Sequence, residues 1–250
     1  YTGFRYAGCE ITDEEKEYIK NDVLVIKEAL EIMFRQGHNR LTIGSCCLAE
    51  YKKSLGNDLY YSMFPNLYSF KIDKDTYGQE SCGEYIRKSY RGGWCYLVDS
   101  KANKVFKNGI TADVNSLYPS VMSGESGNPY PIGEPTFWVG DIPKVAYSKY
   151  FFVRLRTSFK LKDGYLPFVQ IKNSPFYRPN ECLKTSDIFS EDKGRYVHYK
   201  QVVDGGYVPI TVELTLTMTD YFLLLEHYNL YDTTILDGCY FDTAVGIFDK

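Results

Sequence analysis

The residues Thr111-Ala112-Asp113-Val114-Asn115-Ser116-Leu117-Tyr118-Pro119-Ser120 are the part of this chain whose types and spacing best suit chemistry. An apolar stretch delivers one carboxylate, Asp113, and the chain then turns into a segment built to start a helix. Pro119 suits a first-turn position, where its missing N–H costs nothing. The backbone N–H groups from Val114 to Tyr118, with the Ser116 hydroxyl, would form a cradle for phosphate oxygens. Asp113 could hold a magnesium ion over that cradle, since magnesium prefers few carboxylates plus substrate phosphate. The same residues also suit an ordinary strand–turn–helix in which Asp113 and Ser116 cap the helix.

Two further groupings carry chemistry. Tyr90-Arg91-Gly92-Gly93-Trp94 places paired glycines, which let a backbone approach a ligand, beside stacking rings and a cation. A plain turn would use the same residues. Near the start of the chain, Tyr18 and Asp22 stand at i and i+4 of a helical pattern and so share a face, which Ile26 continues. A carboxylate on an apolar face needs a partner or a metal, although a water-satisfied Asp at the helix edge fits that spacing too.

The elements that must position these groups are legible to different degrees. Ile11–Gly37 reads as a helix: Thr12 and Glu15 form a capping box, and Ile19, Val23, Ile26, Leu30, Met33 and Phe34 repeat on one side. Gly37 supplies the stop. A shorter helix is expected over Ser45–Leu55. Lys104–Val114 reads as a strand ending at Asp113, with a helix starting near Pro119. Phe151–Lys160 alternates, with Phe151, Val153, Leu155, Thr157 and Phe159 on one face and Arg154, Arg156 and Lys160 on the other. A short helix over Thr219–Tyr228, capped by Thr219 and Asp220, and a strand around Thr233–Tyr240 complete the reading.

Composition bounds the rest. Of 250 residues 44% are hydrophobic, enough for a sizeable core, and 24 Tyr against 15 Phe and 2 Trp suit half-buried strands. No apolar run reaches the roughly 18 residues needed to span a membrane, and no signal peptide opens the chain. The absence of an initial Met suggests a chain cut at both ends. Seven cysteines without a C-x-x-C pair point to reduced, mostly packed thiols in a cytosol. The net charge of −3 is unevenly spread: the middle of the chain is basic and its flanks acidic, which permits a phosphate-binding surface.

The motifs together resemble family B DNA polymerases of the protein-primed, small tailed-phage kind. D-x-x-S-L-Y-P-S at Asp113–Ser120 is similar to their first palm motif, Y-x-G-G at Tyr90–Gly93 to their template-contacting motif, and Tyr18-x-x-x-Asp22 to their third exonuclease motif. The resemblance implies that Asp113 binds the catalytic metals (Mg2+ or Mn2+), and that Ser116 binds the triphosphate of an incoming deoxynucleoside triphosphate. It implies that Tyr118 excludes a ribose 2′-hydroxyl, and that Val114 and Leu117 offer backbone groups, Val114 to a metal as well. Tyr90, Arg91, Gly92 and Gly93 would touch template-primer DNA. Asp22 would bind the metal of a 3′→5′ proofreading site, where Tyr18 positions the attacking water. The segments Tyr130–Pro135, Gly164–Pro167, Gln170–Lys172, Glu181–Lys184 and Glu226–Tyr231 resemble the insertion of the protein-primed branch, which contacts a terminal protein. Arg154, Arg156 and Lys160 are the expected partner-binding face. The resemblance weakens between Thr185 and Tyr207.

The fold expected is α/β mixed (α+β): the end of an RNase-H-like exonuclease domain at 1–42, the first part of a palm at 43–124, and a β-rich insertion at 125–250. Neither a K-x-x-x-N-S-x-Y-G helix nor a D-T-D motif is present, and the first two exonuclease motifs are absent. The chain alone is therefore expected to be inactive, with activity in a cytoplasmic parent (a host cytoplasm if viral). A non-catalytic module holding DNA or a priming protein, or a degenerate relic, are the other readings.

Overall fold

The computed structural model describes residues 6–249 apart from 173, 179–180 and 203. They fall into two compact units, one ending at Tyr60 and one spanning Tyr61–Asp249. The division lies inside the stretch expected to open the palm.

In the first unit, α1 (Asp13–Arg35) begins with the expected capping box. The Glu15 N–H donates to Thr12 Oγ1 at 3.3 Å, and the Thr12 N–H donates back to Glu15 Oε2 at 2.9 Å. Gly37, at φ 87°, follows the helix end. No residue of α1 is buried, and its apolar stripe, Ile19, Val23, Ile26 and Leu30, is exposed. The next helix, α2 (Ile43–Leu55), starts ahead of the expected Ser45, because Thr42 and Ser45 form a second reciprocal cap. The third helix, α3 (Asn57–Met63), contains the boundary between the units.

The second unit opens with α4 (Lys74–Tyr77) and α5 (Cys82–Arg87), capped by Asp73 and Ser81. Then come α6 (Leu117–Met122) and two long strands, β1 (Tyr130–Val139) and β2 (Tyr150–Leu161). Residues 185–207, where the resemblance weakens, contribute to two small antiparallel hairpins. These pair β3 (Ile188–Ser190) with β4 (Arg195–Val197), and β5 (Tyr199–Gln201) with β6 (Tyr207–Pro209). The chain ends in β7 (Val212–Thr217), α7 (Met218–His227) and β8 (Tyr228–Ala244).

The long strands form one antiparallel sheet in the order β1-β8-β2-β7. Its central strand β2 keeps the expected alternation: Phe151, Val153, Leu155, Thr157 and Phe159 are all buried. They pack with Leu214, Leu216, Leu224 and Tyr228, so α7 closes that face. The opposite face is covered as well. There Phe152, Cys239 and Phe241 meet Cys82 and Tyr85 of α5, with Phe137 packed on the cluster. Strand β2 is thus buried on both faces. Gly238 in β8 lets the Trp138 ring lie flat on the sheet, since a Cβ there would stand 2.2 Å from that ring.

Four expectations change. Lys104–Val114 is not a strand: the described residues there form no ladder, and Val105 and Ile110 are 96% and 98% exposed. A strand is held by a neighbour's hydrogen bonds and a face to bury, and this segment has neither. The motif helix starts at Leu117, ahead of Pro119. The helix expected at Thr219 starts at Met218, because Thr217 ends β7 in extended geometry and its hydroxyl accepts the Asp220 N–H at 3.1 Å. The last strand is far longer than Thr233–Tyr240, since β2 pairs with it from Tyr228 to Phe241 and β1 from Asp237 to Ala244.

Candidate functional site

The carboxylate–turn–helix motif is displayed outward. Asp113, Val114, Asn115, Ser116, Leu117 and Tyr118 are all exposed, Tyr118 at 75%. Ser116 occupies the N-cap position in the left-handed region, at φ 50° and ψ 46°, and its side chain makes no capping hydrogen bond. The capping alternative therefore does not account for Ser116, and its hydroxyl is left available beside Tyr118.

What holds this helix is its far end. The Val121 carbonyl accepts three hydrogen bonds, from Ser126 Oγ at 2.9 Å, Asn128 Nδ2 at 2.9 Å and Tyr130 OH at 2.6 Å. The Gly124 N–H donates to both Asp249 carboxylate oxygens, at 3.0 and 2.8 Å. A Cβ at Gly124 would lie 2.3 Å from Asp249 Oδ2 and 3.1 Å from the Gly246 Cα, so any side chain there would displace the Asp249 carboxylate and crowd Gly246. Phe248 packs edge-on against Tyr130 at 5.2 Å between centroids. The helix is thus tied to the start of β1 and to the chain after β8, while the end bearing Asp113 and Ser116 faces solvent.

The Tyr90–Gly93 motif lies beside the sheet. Arg91 donates to the Lys88 carbonyl at 2.8 Å and to the Thr215 carbonyl of β7 at 3.3 Å. Burial holds its basicity below the ordinary arginine value, a shift that Asp220 nearby partly offsets. Arg91 thus anchors the motif to the fold, and Tyr90, 67% exposed, is its presented ring. A Cβ at Gly92 or Gly93 would meet nothing within 4 Å, so the paired glycines leave open space above the backbone. Next to them is a cavity of about 580 Å³ lined by Arg87, Lys88, Arg91, Arg154 and Lys172, with Glu213 the one carboxylate in its wall. Lys172 sits over the Tyr90 ring at 5.5 Å. Sequence reasoning placed Lys172 in the basic stretch that follows β2 but did not single out Arg87 or Lys88; the basic middle of the chain was the signal that could have found them.

The expected partner-binding face changes character. Arg154 does not point to solvent as a free cation. Its Nε lies 3.1 Å from both oxygens of Asp237, its Nη1 3.1 Å from Glu213 Oε1, and its Nη2 donates to the Thr76 carbonyl at 2.8 Å and also pairs with Asp237. Tyr85 OH donates to Asp237 Oδ1 at 2.8 Å. These bonds raise the basicity of Arg154, the Asp237 contact foremost, and burial with the Asp237 charge raises the Tyr85 phenol. The physical reason is register: Arg154 pairs with Asp237 across the β2–β8 ladder, and α5 covers that face. Arg156 leans toward Glu213 at 3.6 Å and Lys160 remains exposed, so the expected patch reduces to those two residues.

Tyr18 and Asp22 sit on α1 in the first unit and are both exposed, whereas Asp113, Ser116, Tyr118 and Tyr90–Gly93 belong to the second. Among the described residues no group of three His, Cys, Asp or Glu side chains is placed to hold a metal ion. Asp113 and Asp22 each supply one carboxylate, so these residues do not by themselves complete a metal site. No helix of the described residues is long and apolar enough to cross a membrane.

The chain belongs to the family described as DNA polymerase type B, organellar and viral, whose model matches residues 5–250. It is similar to the DNA polymerase of Bacillus phage Nf, 39% identical over 244 residues that make up 98% of this chain and 36% of that protein. It is 38% identical to the DNA polymerase of Bacillus phage B103 over 250 residues, 100% of this chain and 38% of that protein. Among solved structures it resembles phi29 DNA polymerase complexed with primer-template DNA and incoming nucleotide substrates, with a TM-score of 0.70 and 33% identity. That match covers 99% of this chain and 37% of that one. The chain thus spans little more than a third of the length of these relatives. Divalent metal ions are a general requirement of such DNA polymerases.

Proposed function

We propose that the chain contributes the nucleotide-binding and template-contacting segments of a protein-primed DNA polymerase, together with one helix of its 3′→5′ proofreading site. The observation that carries this reading is the outward display of Asp113, Ser116 and Tyr118 at and just before the start of a helix fastened at its other end. In this reading Asp113, with the Val114 carbonyl, holds Mg2+ or Mn2+ jointly with carboxylates from elsewhere in the polymerase. Ser116 and the Leu117 N–H take the triphosphate, and Tyr118 lies against the sugar. Tyr90, Gly92 and Gly93 touch the template-primer DNA, with Arg91 as their anchor. Asp22 and Tyr18 serve the proofreading centre.

Residues 1–42, 43–124 and 125–250 correspond in this reading to the exonuclease end, the first part of the palm and the insertion. The insertion meets a terminal protein through Arg156 and Lys160 rather than Arg154, and the protein works in the cytoplasm of a phage-infected host. Two-metal catalysis needs carboxylates from more than one segment, so the 250 residues alone incorporate no nucleotide.

The test uses a full-length polymerase containing this chain. Asp113→Asn abolishes nucleotide incorporation and leaves 3′→5′ degradation of a labelled primer intact, while Asp22→Ala does the reverse. Loss of both activities from either change, in a protein with an unaltered circular dichroism spectrum, would remove the two-site assignment.

A further inference from the structure

The segment that follows the Tyr90–Gly93 motif is held on both sides of Cys95. Trp94 Nε1 donates to the Pro167 carbonyl at 3.0 Å, and Asp99 forms an ion pair with Lys184. Lys184 belongs to Glu181-Cys182-Leu183-Lys184, so the same fastening brings Cys182 to Cys95. The Cys182 thiol donates to the Cys95 carbonyl oxygen at 3.6 Å and accepts from Gln170 Nε2 at 3.5 Å. Both cysteines line one cavity of about 820 Å³. Cys95 is exposed and Cys182 is half-buried, so a small reagent in solution can reach the pair.

The Cys182 sulfur thus lies 3.6 Å from the Cys95 carbonyl oxygen, a contact that sets the two residues side by side. Disulfides form across Cα separations of about 4.4–6.8 Å, so the bond closes only if side-chain rotation and a shift of the loop around Cys95 bring the pair into that range. Cys82 and Cys239 also pack in one cluster, but both are 0% exposed and closed to an oxidant. Cys47 is exposed, and its chain neighbour Cys46 is buried.

We propose that Cys95 and Cys182 are a reversible redox pair, a disulfide in the oxidised protein that locks the segment after the Tyr90–Gly93 motif onto residues 181–184. The oxidant is a low-molecular-weight disulfide of the glutathione class. The exposed Cys95 thiolate attacks one of its sulfurs, forming a mixed disulfide and releasing one small thiolate. The Cys182 thiolate then attacks the Cys95 sulfur and releases the second. Two protein thiols are oxidised, one small disulfide is reduced to two thiols, and the two protons pass to the departing thiolates.

The experiment uses the 250-residue chain, incubated with glutathione disulfide, quenched with acid, digested with trypsin and read by mass spectrometry without reduction. Cys95 falls in the tryptic peptide 92–101 and Cys182 in 173–184, each with no other cysteine. The expected result is a linked 92–101/173–184 species that dithiothreitol dissolves and that Cys95→Ser or Cys182→Ser abolishes, while Cys47→Ser leaves it unchanged. In the native chain its yield should exceed that in concentrated urea by at least about tenfold, because the fold sets the local concentration of one thiol at the other. Separate glutathione adducts on Cys95 and Cys182 with no link, or links spread equally to Cys47, would overturn the pairing. An equal yield in urea would show that the fold does not bring the two together.

Discussion

Arg154→Ala and Asp237→Ala cut the same ion pair from opposite ends, and the structure makes their costs unequal. Asp237 has a side chain 2% exposed, against 15% for Arg154. Removing Arg154 leaves a buried carboxylate whose remaining hydrogen-bond partner is Tyr85 OH. Removing Asp237 leaves the guanidinium with Glu213 and the Thr76 carbonyl. Breaking a buried pair costs about 3–5 kcal/mol, mostly from the stranded charge, so Arg154→Ala belongs near the upper end and Asp237→Ala near the lower. With a urea m-value of about 2 kcal/mol/M, these losses move the unfolding midpoint by roughly 1.5–2.5 M. Arg156→Ala is the control: its contact with Glu213 at 3.6 Å is exposed, and such pairs contribute at most about 1 kcal/mol. A combined Arg154→Met, Asp237→Leu and Tyr85→Phe variant should recover most of the stability, since matched apolar replacement of a buried ionic group is often neutral. Urea titrations followed by circular dichroism decide it. If Arg154→Ala cost no more than Arg156→Ala, the network would be surface decoration and the basic face of β2 would again be free to bind a partner.

In a full-length polymerase, Tyr118→Val should admit ribonucleotides, with a few kcal/mol of discrimination lost when the ring no longer blocks the 2′-hydroxyl; unchanged sugar preference in single-nucleotide kinetics would move that role elsewhere. Gly124→Ala should displace the Asp249 carboxylate and lose about 1–2 kcal/mol, and Asp249→Ala should lose the same. Combining the two should cost no more than either alone, because both break one contact; additive urea shifts would show that Asp249 does not act through Gly124. Iodoacetamide should label Cys47 and Cys95 quickly and spare Cys46, Cys82 and Cys239, which are buried. For Cys239, burial and the neighbouring Cys82 also hold the thiol well above its ordinary pKa, so raising the pH to 9 should not expose it; rapid labelling there would mean that α5 does not cover the sheet.

The elements that could be read from sequence were those whose signal is local. The capping box of α1 lies within four consecutive residues, and the alternation of β2 runs through its own length, so both needed no knowledge of a partner. The motif residues Asp113, Ser116 and Tyr118 were legible for the same reason, since one short segment carries all three. Lys104–Val114 has strand composition too, but a strand also needs a neighbour, and local pattern carries no information about whether one is present. Position along α1 shows the same limit: its apolar stripe is plain in the sequence, yet the helix buries no residue among those described.

Arg154 shows what period-two reasoning omits. Alternation assigned it, with Arg156 and Lys160, to the face opposite the core, and that assignment of faces is correct. The error was to equate that face with solvent. Strand β2 is central, and its second face is covered by α5, so the residues there must be apolar, like Phe152, or paired, like Arg154. The partner that makes a cation tolerable in that position, Asp237, is 83 residues away, in a stretch read only as a strand around Thr233–Tyr240. The Asp in the middle of Thr233–Tyr240, between Leu236 and Gly238, was the available hint, because a carboxylate in a strand interior must meet a cation or a donor. Two oppositely charged residues, each inside a strand rich in buried side chains, are better read as a pair seeking each other than as two surface positions. On that logic the basic stretch around β2 contributes first to holding the Tyr90–Gly93 segment against the sheet, through Thr76, Tyr85 and Thr215. Arg87, Lys88 and Lys172 around the cavity and Lys160 beyond it are among the cations this logic leaves to meet a polyanion, while Arg156 is shared with Glu213.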